Sequence, residues 1–166
     1  RNIQKIMLSD HLVLAGGGHT HALLLHRWAM NSKWKPSGMI TLVNQSSTTV
    51  YSGMFPGVVA GKYKIDEILI DVRTLAAQAG ISFVKAEIDG IDLKKKKLLL
   101  VGRPEIEYSL LSINIGAKTN FNAKSLNRSE KKLAVPIKPF SESLKFIIEQ
   151  DVYKDDSSAP PFVIIG

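Results

Sequence analysis

Short apolar runs, glycine turns and helical spacings alternate along the first half of the chain. His11-Leu12-Val13-Leu14-Ala15 is an apolar run stopped by Gly16-Gly17-Gly18, the pattern of a buried strand. His19 to Met30 follows at helical spacing, with Ala22, Leu25, Trp28 and Ala29 on one side and Leu23 and Leu24 widening the apolar face. Residues 31–38 are a polar loop, and Met39-Ile40-Thr41-Leu42-Val43 is a second β-rich run ending at Asn44. Strand, glycine turn, helix and strand make one βαβ unit with a right-handed crossover.

Residues 45–64 lack a clear period and are expected to be loop. Asp66 to Gly80 carries a helical pattern through Ile68, Leu69, Val72, Leu75, Ala76 and Ala79, stopped by Gly80. Ile81-Ser82-Phe83-Val84 is a third strand. The texture then changes to three short β-like runs, Ala86–Asp92, Lys97–Val101 and Glu105–Tyr108, separated by turn signals at 93–96 and 102–104. They predict an antiparallel meander inserted into the α/β sheet. Leu110–Ile115, closed by Gly116, is again a buried parallel-type strand. Residues 117–133 are a polar, lysine-rich loop, Ser141–Gln150 a short helix, and 155–161 a linker before the apolar strand Phe162–Ile165 and Gly166. The expected fold class is α/β, a parallel sheet with helices on both faces and an antiparallel β-meander insertion. The chain opens on Arg1 and stops on a strand and glycine that repeat the texture of Leu12–Gly16. From this we expect a fragment, cut where a second nucleotide-binding unit begins.

Composition narrows the field. With 166 residues, 45% hydrophobic and 22% charged, the chain is long enough for one domain with a real core and too apolar for general disorder. No run approaches the ~18 apolar residues of a membrane-spanning helix. No cysteine is present, which excludes disulfides, zinc thiolates, iron–sulfur clusters and redox dithiols within this chain. The net charge of +7 is spread along the chain, without the basic stripe and interleaved aromatics of a nucleic-acid binder. Lys94–Lys97 fits a solvated hairpin end better than a contact with anionic lipid.

The chemistry concentrates at the first crossover. Gly16-x-Gly18 between a strand and a helix is the core of a dinucleotide fingerprint. Gly16 permits the tight turn, Gly18 permits close approach of a pyrophosphate, and helical N–H groups and the dipole hold the negative charge. His21 stands where the third glycine belongs, implying a looser or shifted helix–strand contact. Asn44 stands where an acidic residue usually binds the ribose hydroxyls; an amide can still donate and accept there, without the charge that repels a phosphorylated ribose. His19 and His21 are two apart, with no Cys, Asp or Glu nearby to complete a metal shell, and are expected at a turn and helix start, near a bound phosphate. No nucleophile–base pair or carboxylate dyad is evident.

Val13–His21 together with Tyr51–Gly61, Ala86–Asp92 and Tyr108–Gly116 resembles the FAD domain of the pyridine nucleotide-disulfide oxidoreductase superfamily. Within it the chain is most similar to the type II NADH dehydrogenase-like branch. Gly-Gly-Gly-His-Thr-His with Tyr-Ser-Gly-Met-Phe-Pro-Gly is closest to the flavoproteins fused to selenide, water dikinase. The resemblance implies an FAD-binding domain over residues 1–161 and, at 162–166, the first strand of a missing NAD(P)H domain. It implies that Gly16, Gly17, Gly18 and His19 lie at the FAD pyrophosphate, Asn44 at the ribose, and the backbone of Ile88 at adenine. Ser52, Gly53 and Pro56 would lie near the isoalloxazine, with Gly116 at the strand-end motif and Lys138 near the flavin.

The implied full-length activity is FAD-dependent NAD(P)H oxidation. Hydride would pass from nicotinamide to flavin and on to a quinone-like acceptor, met directly because no cysteine pair follows the second strand. The fragment itself is then expected to bind FAD weakly or not at all and to be inactive. The resemblance further implies a cytoplasmic protein, with peripheral membrane contact of the full-length form and a fused dikinase domain left open, and no nucleic-acid partner. Two rivals remain, a non-catalytic nucleotide-sensing module attached to the synthase and a single-domain NAD(P)-dependent dehydrogenase. The β-rich stretch 86–108 argues against the latter.

Overall fold

The computed structural model describes residues 10–118 and 136–149. The expected loop beyond residue 118, the linker 155–161, the strand 162–165 and the boundary at 161 lie outside them. The elements are β1 (His11–Ala15), α1 (His19–Met30), β2 (Met39–Asn44), β3 (Thr48–Val50), α2 (Phe55–Val59), β4 (Leu69–Asp71), α3 (Val72–Gln78), β5 (Ser82–Lys85), β6 (Ile88–Asp92), β7 (Lys97–Leu100), β8 (Arg103–Glu107), β9 (Leu110–Ile113) and α4 (Phe140–Glu149). They divide into two compact units, one built from the chain up to Tyr51 and Ile68–Gly116, the other from Ser52–Glu67 and the chain from Ala117 onward.

In the first unit four parallel strands lie in the order β5-β2-β1-β9. The chain builds outward from β1 through β2 to β5, then returns to the other side of β1 as β9. The strand order therefore reverses between β1 and β9, where an open α/β sheet leaves a crevice at its carboxyl ends. Alternation along the strands sends their side chains to two different partners. Leu12, Leu14, Ile40 and Leu42 pack against Ala22, Leu25 and Trp28 of α1 and Val72 and Ala76 of α3. Val13, Ala15 and Val43 face the other way, onto Ala86, Leu98 and Leu100.

That second face corrects the expectation of helices on both sides. Among the described residues of this unit it is covered by the antiparallel sheet β6-β7-β8. Leu98 and Leu100, two apart on β7, present the apolar side of the meander and bury a parallel sheet that needs cover on both faces. The lysine run forms the β6–β7 turn. Lys95 N–H donates to the Asp92 carboxylate, and Lys97 pairs with Glu105 and Glu107, which fits a solvated hairpin end.

Two further expectations need correction. The stretch 45–64, expected as loop, contains β3, a 3-10 turn at Ser52–Met54 and the short helix α2. The stretch 66–80, expected as one helix, is a 3-10 turn at Asp66–Ile68, then β4, then α3. The cause is Asp71. Its carboxylate accepts the Thr74 amide at 2.9 Å and the Thr74 hydroxyl at 2.8 Å, so the helix begins there, and residues 69–71 are free to pair with β3. In the second unit, Phe55 of α2 packs on Phe140 of α4 with ring centroids 4.7 Å apart.

Candidate functional site

The residues that close β1, β2 and β9 meet around the glycine turn. Gly16 has φ +90°, a conformation that favours glycine, and its N–H donates to Val43 O at 2.8 Å. A Cβ on Gly16 would lie 2.5 Å from Asn114 O, and one on Gly18 would run into the Asn114 side chain and carbonyl. The end of β9 is thus pressed directly against the turn. At Gly18 a side chain is excluded by the protein's own Asn114.

Two carboxamides hold the turn. Asn44 Oδ1 accepts the Gly17 N–H at 2.9 Å, while its Nδ2 donates to Ser46 O at 2.8 Å. Asn114 accepts the Gly18 N–H on its backbone oxygen at 3.0 Å and the Thr20 N–H on its side-chain oxygen at 3.1 Å. The amides of Gly16, Gly17 and Gly18 are therefore all spent inside the protein. His19 N–H, first of α1, has no acceptor among the described residues. It stands beside the Thr20 amide at the positive end of the helix dipole.

His21, standing where a third glycine was expected, is taken into the contact by hydrogen bonds. It is buried, 1% exposed, with Nδ1 2.6 Å from Gly16 O and Nε2 2.9 Å from Ser112 Oγ. The imidazole fills the space between turn and β9 and satisfies polar atoms on both sides. Burial lowers its pKa, opposed in part by the hydrogen bond to the Gly16 carbonyl. His19 is exposed, and its ring stacks on Tyr51 with centroids 4.8 Å apart and planes 21° from parallel.

Seven of the expected site residues, Gly16, Gly17, Gly18, His19, Asn44, Ile88 and Gly116, belong to the first unit. The first five form the turn and its surroundings. Gly116 follows Asn114 by two residues with φ +77°. Ile88 sits in β6 opposite Leu100. The residue brought against Asn44 is Ala86, whose N–H donates to the Asn44 carbonyl at 3.0 Å. Ser52, Gly53, Pro56 and Lys138 belong to the second unit and are exposed. The Lys138 ammonium lies 5.9 Å from the centre of the Phe140 ring.

Ser112 and Asn114 were missed. Their signal was present, two polar residues two apart in an otherwise apolar strand, and such a pair shares one face. Among the described residues no group of three or more His, Asp or Glu side chains is arranged to hold a metal, and no helix is long and apolar enough to cross a membrane.

No protein-family model matches this chain, and no curated protein does. Solved structures do. The sulfide:quinone oxidoreductase of the hyperthermophilic bacterium Aquifex aeolicus is similar over 89% of this chain, with a TM-score of 0.66 and 21% identity. NDH2 from Plasmodium falciparum in complex with NADH is similar over 71%, with a TM-score of 0.56 and 15% identity. The NADH:rubredoxin oxidoreductase from Clostridium acetobutylicum is similar over 69%, with a TM-score of 0.51 and 23% identity. This chain spans 33%, 25% and 29% of their respective lengths. The likeness is one of fold, the Rossmann-like α/β architecture.

Proposed function

We propose that this chain is the FAD-binding part of an FAD-dependent NAD(P)H oxidoreductase. The observation that carries the reading is the place of the glycine turn, at the reversal of strand order between β1 and β9, where α/β sheets bind nucleotides. The donor set fits a diphosphate. The His19 amide, without an acceptor among the described residues, can donate, the Thr20 amide can if Asn114 Oδ1 yields, and the helix dipole favours the charge. Asn44 would meet the ribose with the second Nδ2 hydrogen and the second lone pair of Oδ1. On the strength of the sequence resemblance alone, Gly116 and Ile88 of the first unit and, separately, Ser52, Gly53, Pro56 and Lys138 of the second are proposed as cofactor contacts.

Bound flavin supplies two-electron redox chemistry, and the protein's contribution is binding and orientation. The nicotinamide donor, a quinone-like acceptor, a fused selenide, water dikinase and any membrane contact of the full-length protein belong to the same proposal and rest on the resemblance alone.

Two measurements test it. The 166-residue chain, mixed with FAD and desalted, is expected to lose most of its flavin absorbance; tight stoichiometric retention contradicts the expectation of weak binding. The full-length protein is expected to hold FAD and to bleach rapidly with NADH or NADPH. Tight FAD binding without bleaching supports a sensor module, and absence of any FAD binding removes the flavin reading.

A further inference from the structure

We propose that His21 is a positioning residue for the nucleotide turn. It acts through an unbroken chain of hydrogen bonds from β9 to the loop after β2, and that chain requires a neutral amide at position 44. This rests on the nucleotide reading of the turn given above.

The direction of every bond in the chain is forced. The Gly16 carbonyl can only accept, so His21 carries its proton on Nδ1. Nε2 of the neutral ring then holds a lone pair, and the Ser112 hydroxyl donates to it. The Gly16 carbonyl and the Gly17 N–H are the two ends of one peptide group. That N–H donates to Asn44 Oδ1, which leaves Asn44 Nδ2 to donate to the Ser46 carbonyl. Burial favours the neutral imidazole that this arrangement uses.

The central link needs this grip. A peptide between two glycines meets little steric resistance to rotation, so the Gly16–Gly17 plane is a soft point of the turn. His21 holds its oxygen and Asn44 its N–H. A change of ψ at Gly16 or of φ at Gly17 that the other does not compensate would move the following backbone, including the His19 and Thr20 amides, away from the geometry an anion meets.

The same chain accounts for Asn44. An aspartate there could still accept the Gly17 N–H, but its other oxygen would face the Ser46 carbonyl with no hydrogen between them. The ribose end of the site is therefore uncharged by construction. Aspartate, the usual fingerprint residue, is expected to weaken nucleotide binding here.

The test uses the 166-residue chain with ADP and FAD as probes, reading ADP affinity and hydrogen exchange at the Gly17 amide. His21→Gly restores the usual glycine but cuts the chain. It is expected to weaken ADP binding about fivefold or more and to speed Gly17 exchange roughly tenfold, the scale of one lost hydrogen bond. His21→Gln, which can donate and accept at the same places, is expected to stay within about twofold of the parent. Asn44→Asp is expected to bind ADP more weakly. Should His21→Gly not fold, Ser112→Ala read by Gly17 exchange carries the test, with faster exchange expected. Unchanged exchange and affinity in His21→Gly, or tighter ADP binding by Asn44→Asp, overturns the positioning role alone. A full-length protein that binds neither ADP nor FAD overturns the nucleotide reading and this role with it, while Gly17 exchange tests the hydrogen-bond chain in the 166-residue chain whether or not nucleotide is retained.

Discussion

The carboxamide oxygen of Asn114 accepts the Thr20 amide at 3.1 Å, joining the end of one strand to the start of a helix 94 residues away. The same residue donates its own N–H to Ala15 O at 2.8 Å and accepts the Gly18 N–H on its carbonyl. One residue thus ties β9, β1 and α1 together, and it covers an amide that an anion would otherwise use.

Asn114→Ala is expected to separate these two roles. Loss of the side-chain bond should lower stability by about 1 kcal/mol, read as the urea midpoint. Freeing the Thr20 amide should at the same time strengthen ADP binding in an isothermal titration. Weaker ADP binding would mean that Asn114 supports the ligand instead of competing with it.

Gly16 and Gly17 should tolerate a methyl group unequally. Gly16→Ala places a Cβ 2.5 Å from a backbone oxygen at φ +90°, and is expected to cost more than about 3 kcal/mol or to prevent folding. In Gly17→Ala the atoms nearest the new Cβ belong to the Asn44 side chain, from 3.1 Å, and the change is expected to cost about 1 kcal/mol by disturbing one hydrogen bond. Thermal denaturation of the two variants side by side checks the order.

The parallel sheet is buried on two different partners, and both should matter comparably. Leu25 on α1 and Leu98 on β7 are each fully buried. Leu25→Ala and Leu98→Ala are each expected to cost about 2–5 kcal/mol in chemical denaturation. A near-neutral Leu98→Ala would show that the meander is an appendage, contributing little to the core.

Burial of His21 makes stability depend on pH in a definite direction. Its pKa lies below the ordinary value of 6.5, first because of burial, so the unfolded chain takes up the proton at a higher pH than the folded one. The contribution is complete above about pH 6.5 and is lost as the pH falls from there through the folded value. Denaturation midpoints of the parent chain and His21→Gln, compared across that range, should diverge, with the parent losing more on acidification. Parallel curves would contradict a buried neutral imidazole.

Much of the fold was legible because local patterns decide it. The apolar run of β1, the helical spacing of α1 and the β-rich run of β2 appear within the bounds read from the sequence. The period over 66–80 misled because Ile68, Leu69 and Val72 fit helical spacing, while the Asp71 cap and the pairing of Thr49 with Ile70 start a strand and then a helix. Phe55–Val59 escaped notice because a five-residue helix is too short to show a period.

From the amino acids alone, the glycine turn, its flanking strand and helix, the displaced histidine and the missing acid could all be located, since each depends on residues adjacent in the chain. What only the folded molecule decided is which backbone amides remain free to meet a ligand. The bonds of Gly17 to Asn44, His21 to Ser112 and Thr20 to Asn114 span 27, 91 and 94 residues. Their existence depends on the parallel register that sets Leu14 beside Ser112 and Ala15 beside Ile113 and Val43. A shift of one residue would turn Ser112 to the opposite face, because strand side chains alternate. Strand pairing across such distances is settled by burial of both sheet faces at once, a property no local stretch of sequence carries.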